Sequence, residues 1–127
     1  MQIESILRAI LVADPDVAAI IGTRAYQGQL PREPTFPAVT YQMVSRVQDS
    51  LTGLVQARVQ YTCLATTWKG AADLADAVRC GLHGYRGVRD GARIEGIQYA
   101  GQHDDHDETT GIYWIPVDMI VTYLEET

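Results

Sequence analysis

The chain has 127 residues, of which 46% are apolar and 20% charged, and its formal net charge is −6 at pH 7. This length predicts a single domain over residues 1–127 with a core of its own, and the composition is typical of a folded globular protein. The acidic balance argues against a protein that holds nucleic acid by its phosphates, because such binding needs a basic face. It is compatible with a protein past which DNA slides, where a repulsive lining is an advantage.

The N-terminal segment and the two cysteines indicate the cellular compartment in which the protein is expected. No secretory leader is evident and no stretch is long enough to span a membrane, so we expect a soluble, intracellular protein. Cys63 lies on the inward side of a predicted strand, and Cys80 lies near the end of a predicted helix. We expect two free, buried thiols; a disulfide stays possible if the helix end folds back over the strand.

The N-terminal segment predicts two helices. Apolar residues recur at three- and four-residue steps over residues 2–13, as in an amphipathic helix. Asp14 and Pro15 end it, because the residue before proline avoids helical geometry. The same pair suits the cap and the first position of a second helix over about Pro15–Ile21, and Gly22 provides a left-handed stop.

Residues 22–37 contain two glycines and three prolines and predict a long irregular connection. Tyr26 and Leu30 are its expected anchors. Long loops inside compact domains are usually functional or are linkers. Two interpretations stand side by side: a strap over the edge of the sheet, or a contact surface for a neighbouring subunit.

Strict alternation of side chains predicts two strands in the middle of the chain, over residues 38–47 and 55–66. The second strand has the more regular pattern, and we expect it to lie in the centre of the sheet. The turn-rich sequence QDSLTG joins the two as an antiparallel hairpin. Arg46 and Arg58 are expected close together on its polar face, where each needs an acidic partner in this subunit or another.

The second half predicts a helix over about residues 68–83, lying across the central strand, then a glycine-rich loop and two more strands. The strand over residues 92–101 is the weaker one, because Gly96 indicates a bulge. In the last strand, over residues 112–124, Pro116 cannot donate to a ladder and indicates an edge or a bulge.

One face of that last strand is unusually apolar for a solvated surface. It carries Trp114, Ile120 and Leu124, which suggests a covered surface such as an oligomer interface.

The element order α-α-β-β-α-β-β predicts the fold class. We expect an α+β fold, with a four-stranded, mainly antiparallel sheet made of two hairpins and with the helices packed on one face.

The sequence HDDHDE at residues 103–108 concentrates potential metal ligands. His103, Asp105 and His106 are weak candidate ligands, but the spacing matches neither a calcium loop nor an HExxH motif. A polar hairpin tip explains the segment equally well. No nucleophile–base pattern, phosphate-binding loop or cofactor motif is present. We therefore expect no enzyme, cofactor or metal site; the alternatives are a small metal-binding or hydrolytic enzyme that uses this segment, and a generic ligand-binding module.

Residues 13–42, 57–87 and 108–126 together resemble the tail completion family of tailed phages and prophages, which is similar to the tail-to-head joining and tail terminator proteins of long-tailed phages. The resemblance implies a non-enzymatic structural part of the virion tail, assembled in the cytoplasm of the bacterial host. It further implies a ring of six copies at the head-proximal end of the tail tube. Such a ring contacts the tube protein and the head–tail connector, and DNA passes through its lumen without specific binding.

For such a ring, the residues themselves indicate contact surfaces in the loop over residues 23–37, on the central hairpin and on the outer face of the last strand. The interface candidates are Tyr26, Leu30, Arg46, Arg58, Trp114 and Ile120.

Overall fold

A computed structural model describes residues 2–107 and 109–125. The helices are Ile3–Ala13 (α1), Pro15–Ile21 (α2) and Trp68–Leu82 (α3). The strands are Ala25–Gln27 (β1), Ala38–Gln48 (β2), Val55–Ala65 (β3), Gly87–Arg89 (β4), Ala92–Gln102 (β5), Asp105–Asp107 (β6) and Ile112–Glu125 (β7). The fold is α+β, as predicted. Within the described ranges no helix is long and apolar enough to cross a membrane.

The helix boundaries follow from local chemistry, and all three helices were predicted. The Asp14 carboxylate accepts the backbone N–H groups of Asp16 and Val17 at 3.0 and 3.1 Å, which caps α2. Gly22 follows α2 with a φ of 61°, a value that glycine adopts readily. The Thr67 hydroxyl accepts the N–H of Gly70 at 3.0 Å and caps α3.

The strands form one sheet in the order β1-β2-β3-β7-β5-β4, with β6 also beside β7. Both predicted hairpins are confirmed, because β2 pairs antiparallel with β3, and β5 pairs antiparallel with β7. They are joined through β3 and β7, so β3 lies in the interior of the sheet as predicted. A single parallel pair, β1 with β2, stands at one end.

The predicted number of four strands is wrong, since the sheet has seven. The strands that were missed are β1, β4 and β6, each of three residues, and all lie in segments predicted as loops. Three residues are too few to show an alternating pattern. These segments become strands because a long neighbouring strand offers backbone donors and acceptors that must be paired.

One face of the sheet and the apolar stripes of the three helices form a single core. Every second side chain of β3, from Val55 to Ala65, is at most 3% exposed, which confirms the inward face predicted for this strand. From α3 the core takes Ala71, Leu74, Ala75, Val78 and Leu82. Burying a leucine or valine side chain in this way contributes roughly 1.5–3 kcal/mol.

Both cysteines are free, as expected, but only one is buried. Cys63 lies in the core on β3, where burial raises the pKa of its thiol. The expectation that Cys80 is buried is wrong: it is exposed, because it falls off the apolar stripe of α3.

Bulges correct the simple alternation in two long strands. The bulge predicted at Gly96 is confirmed by a register shift between Ile94 and Gly96 in β5. As a result Ile94 and Ile97 are both buried, although strict alternation places them on opposite faces. In β2 a register shift lies between Met43 and Ser45.

The prediction that Pro116 marks an edge or a bulge is confirmed in part: β7 is an interior strand, but Pro116 lies at a gap between its partners on one side. On one side Pro116 is in register with Thr62 of β3. On the other side the pairing with β5 ends at Val117, and the pairing with β6 begins at Trp114. The proline therefore lies where the ladder on that side is already interrupted.

Candidate assembly surface

The face of the sheet opposite the helices is the candidate functional surface, here called the outer face. On β3 and β7 it consists of Gln56, Arg58, Gln60, Thr62, Leu64, Trp114, Pro116, Asp118, Ile120, Thr122 and Leu124. Gln56 is exposed, Pro116 is buried and the others are half-buried. The helices pack on the opposite face, so these side chains are shielded mainly by one another.

The apolar part of the outer face lies along β7. Trp114 is in register with Leu64 of β3 on one side and with Asp105 of β6 on the other. Ile120 is in register with Arg58 and with Gln98 of β5. Apolar side chains thus alternate with polar ones over the middle of the sheet.

The charges of the outer face are neutralised within the subunit. An Arg58 Nη atom donates to a carboxylate oxygen of Asp118 at 3.0 Å, and the amide of Gln60 donates to the other oxygen at 3.3 Å. The expectation that Arg58 needs an acidic partner is thus met within the chain. This half-exposed ion pair contributes little to stability, on the order of 0–1 kcal/mol, but it leaves the surface without net charge at this point.

Arg46 does not share this face, so the prediction that Arg46 and Arg58 lie together is wrong. The bulge in β2 moves Arg46 into register with the buried Ala57, on the helix side of the sheet. There its Nε donates to the Tyr123 hydroxyl at 3.3 Å, and its guanidinium lies 3.7 Å from Glu125. The hydrogen bond to Tyr123 is the main reason that the pKa of Arg46 is raised.

The two candidates from the long connection occupy different settings. Tyr26 lies on β1 beside Thr40, on the outer face at one end of the sheet, and is half-buried. Leu30 is half-buried in the irregular segment between β1 and β2. The outer face therefore brings together Tyr26, Arg58, Trp114 and Ile120. An interface role for these residues stays a prediction.

The acidic segment around residue 105 continues the hairpin, with β6 paired to β7. Asp104 accepts the indole N–H of Trp68 at 3.1 Å, which ties the segment to the start of α3. His106 stacks on Tyr113 with ring centroids 5.2 Å apart. In the parts of the chain that the structure describes, no group of three or more His, Cys, Asp or Glu side chains is placed to hold a metal ion. Glu108 lies outside the described residues.

Sequence reasoning missed a set of exposed apolar side chains at the two ends of the sheet. Val44 and Val47 project from β2, Leu51 from the turn that follows, and Val88 from β4. A leucine in the turn QDSLTG was the one signal available in advance, because turns are otherwise polar.

Comparison with known proteins agrees with this architecture. The chain matches the family model described as "Tail completion protein gp17" over residues 5–124. It is similar to a chain in a solved structure of the "virion of native gene transfer agent (GTA) particle", with a TM-score of 0.72 and 19% identity over 92% of this chain and 93% of that chain. At this identity the likeness shows a shared fold. A search of curated proteins gave no match.

The family match spans nearly all of the described residues, from α1 to the end of β7. The protein is therefore a structural component of the phage tail in the virion, and the chain belongs to the tail completion protein gp17 family.

Proposed function

We propose that this tail protein forms a closed ring of identical copies, six according to the family resemblance, at the head-proximal end of the tail tube. The ring terminates the tube, joins it to the head connector and leaves a passage for DNA. The observation that carries the proposal is the outer face, a broad sheet surface that none of the helices in the described residues covers.

The composition of the outer face suits contact with protein. The centres of protein interfaces are poor in unpaired charge and rich in aromatic side chains. Here Asp118 is neutralised by Arg58 within the subunit, while Trp114, Leu64 and Ile120 offer apolar area. Burying the paired Arg58 and Asp118 costs less than burying either charge alone, because each ion keeps its partner when water leaves.

The proposed ring works without a catalytic step. In its support, two members of the acidic segment already have structural contacts: Asp104 accepts the indole N–H of Trp68, and His106 stacks on Tyr113. Replacing His103, Asp105 and His106 together with alanine is therefore expected to leave the fold and the ring unchanged. Loss of a bound metal or of a hydrolytic activity in that variant would support the enzyme alternative instead.

The test of the ring is Trp114→Asp, which places a charge in the apolar part of the outer face. We expect assembly to weaken more than folding, because Trp114 is half-buried in the monomer and becomes fully buried in the proposed interface. Assembly is measured by mass in solution and by electron microscopy of rings on tail tubes, and folding by the melting temperature of the monomer.

Trp68 provides the matched control, because it is the second tryptophan and lies on α3, in the helical layer. Trp68→Ser is expected to leave rings intact, whereas Trp114→Ser is expected to reduce them. Equal losses of melting temperature and assembly in Trp114→Asp would overturn the assignment of the outer face. Absence of rings for the unmodified protein, both alone and on tail tubes, would overturn the proposed function itself.

A further inference from the structure

The free part of β2 is an open edge of the sheet. β1 covers β2 only from Val39 to Tyr41. The stretch Gln42–Gln48, here called the β2 edge, pairs with β3 on one side, and on its other side no strand of the described chain is present. Unpaired backbone N–H and C=O groups on an exposed edge are a template for another strand.

At the opposite end of the sheet the edge of β5 is closed, because residues at the end of α3 hydrogen-bond to its backbone. This contact is called the seal of β5. The N–H of Gly84 donates to the carbonyl of Ile97 at 2.8 Å, and the N–H of Tyr99 donates to Nδ1 of His83 at 3.1 Å. The guanidinium of Arg79 also lies 5.8 Å from the centre of the Tyr99 ring. Beyond this seal, the strand that remains open is β4, which pairs with β5 on one side only.

The β2 edge and β4 lie at the same level of the sheet, measured along the direction of the strands. One row of paired residues crosses it from Gln48 through Val55, Tyr123 and Ile94 to Gly87. Four antiparallel pairings separate β2 from β4, so the two strands run in the same direction. A rotation about an axis parallel to the strands therefore brings β4 of one copy beside the β2 edge of the next without a shift along the axis. Such a head-to-tail contact can close into a ring rather than open into a spiral.

The side chains on the two edges are complementary. Val44 and Val47 are 53% and 70% exposed on the β2 edge, and Val88 is 61% exposed on β4. An exposed valine needs no explanation by itself. Val47 and Val88 both lie on the outer face and, in the unshifted contact, are diagonal neighbours two residues apart along the strands. Two basic residues, Arg86 and Arg89, lie beside Val88, while the acidic Asp49 directly follows the β2 edge. Opposite charges across paired strands stabilise the pairing.

We propose that neighbouring copies join edge to edge, with β4 of one copy paired in parallel with the β2 edge of the next, so that one sheet continues around the ring. The occupant of each open edge is thus a second copy of this chain. This inference rests on the proposed ring and assigns the contact between neighbouring copies to the sheet edges. The outer face then lies on one side of the continued sheet and is left for the contact of the ring with the tail tube or the connector.

Cysteine pairs test the contact directly. In a Cys80→Ser background, the double variant Val47→Cys with Arg86→Cys is assembled and oxidised, because both residues directly precede the row that joins Gln48 to Gly87. Asp49→Cys with Val88→Cys tests the position directly after that row. We expect a ladder of disulfide-linked species that ends at the size of the ring, because a disulfide forms only when the Cβ atoms come within about 3.5–4.5 Å. A mixture of the two single variants, Val47→Cys and Arg86→Cys, is expected to give linked dimers only.

The control pair is Val47→Cys with Ala100→Cys, since Ala100 is exposed on the part of β5 that α3 seals. It is expected to give no ladder. Crosslinking of Val47→Cys alone would show a two-fold pairing of β2 edges and would overturn the head-to-tail contact. A ladder from the control pair would overturn the assignment of β4.

Lysine substitutions supply a second readout that does not depend on disulfide geometry. Val47→Lys and Val88→Lys each change an exposed side chain, so the melting temperature of the monomer is expected to stay unchanged while ring formation falls at least tenfold; Ala100→Lys should retain rings. Rings that form normally in both variants, with no ladder from the cysteine pairs, would overturn edge pairing and leave the proposed function standing. Absence of rings in the unmodified protein would overturn both.

Discussion

Gly81, near the end of α3, lies against the Asp14 side chain that caps α2, so a larger residue at this position is expected to lower the stability of the protein. A Cβ atom built on Gly81 lies 2.5 Å from a carboxylate oxygen of Asp14 and 2.7 Å from its Cγ. That carboxylate holds the N–H groups of Asp16 and Val17. Any side chain at position 81 therefore has to displace the cap or move α3.

The change in the free energy of unfolding has one favourable and two unfavourable contributions. Alanine in place of glycine favours a helix by up to about 1 kcal/mol. Against this, loss of the Asp14 cap costs about 0.5–2 kcal/mol, and overpacking costs about 1–3 kcal/mol. We expect Gly81→Ala to destabilise the protein by about 1–3 kcal/mol, although a glycine-to-alanine change in a helix normally stabilises.

A double-mutant cycle with Asp14→Ala tests the cause. Asp14→Ala alone is expected to cost about 1 kcal/mol, since it removes the cap. In that background the crowding is gone, so Gly81→Ala should be neutral or stabilising by up to about 1 kcal/mol. The coupling energy, measured by urea unfolding of the four proteins, should then be about 2 kcal/mol. An equal cost of Gly81→Ala in both backgrounds would refute the reasoning.

Four further predictions concern buried and edge groups. The Tyr61 hydroxyl is buried and has no hydrogen-bond partner in the described structure, so Tyr61→Phe should raise the free energy of unfolding by about 1–2 kcal/mol at neutral pH; no gain in urea unfolding would contradict this. Burial also raises the pKa of Tyr61 above its ordinary value of 10.0. The unfolded chain therefore ionises first as pH rises, and stability should fall above about pH 10 by up to about 1.4 kcal/mol per pH unit, less steeply in Tyr61→Phe. A thiol reagent should label Cys80 in the native protein and Cys63 only on unfolding, because Cys63 is buried and its thiol pKa is raised; two reactive native thiols would count against this. His83→Ala removes the acceptor for the N–H of Tyr99, so hydrogen exchange at that amide should accelerate at least tenfold; unchanged protection would show that the seal does not depend on the imidazole.

Elements with strong local signals were predictable from the sequence alone. The stripe of α1, the Asp14 cap with Pro15, and the alternation of β3 each rest on residues a few positions apart. Helical and strand periodicities are properties of the backbone itself, so a contiguous segment carries enough information to predict them. The apolar outer side of β7 could be recognised in the same way.

The face of the sheet that a single residue occupies depended on tertiary structure. Arg46 was placed on the wrong face because one extra residue in β2, at a bulge without glycine or proline, reverses the alternation after it. Pro116 indicated a break in the ladder, but the sequence did not show that this break lies between β5 and β6, beside an interior strand.

By itself, then, the sequence determined the helices, the two long hairpins, the buried face of β3 and the family resemblance, since each depends on patterns within short segments. Only the tertiary structure decided the three short strands, the face that Arg46 occupies and the contrast between an open β2 edge and a sealed β5 edge. These depend on which backbone groups remain unpaired after distant segments have come together, and that is a property of the assembled sheet rather than of any one stretch of the chain.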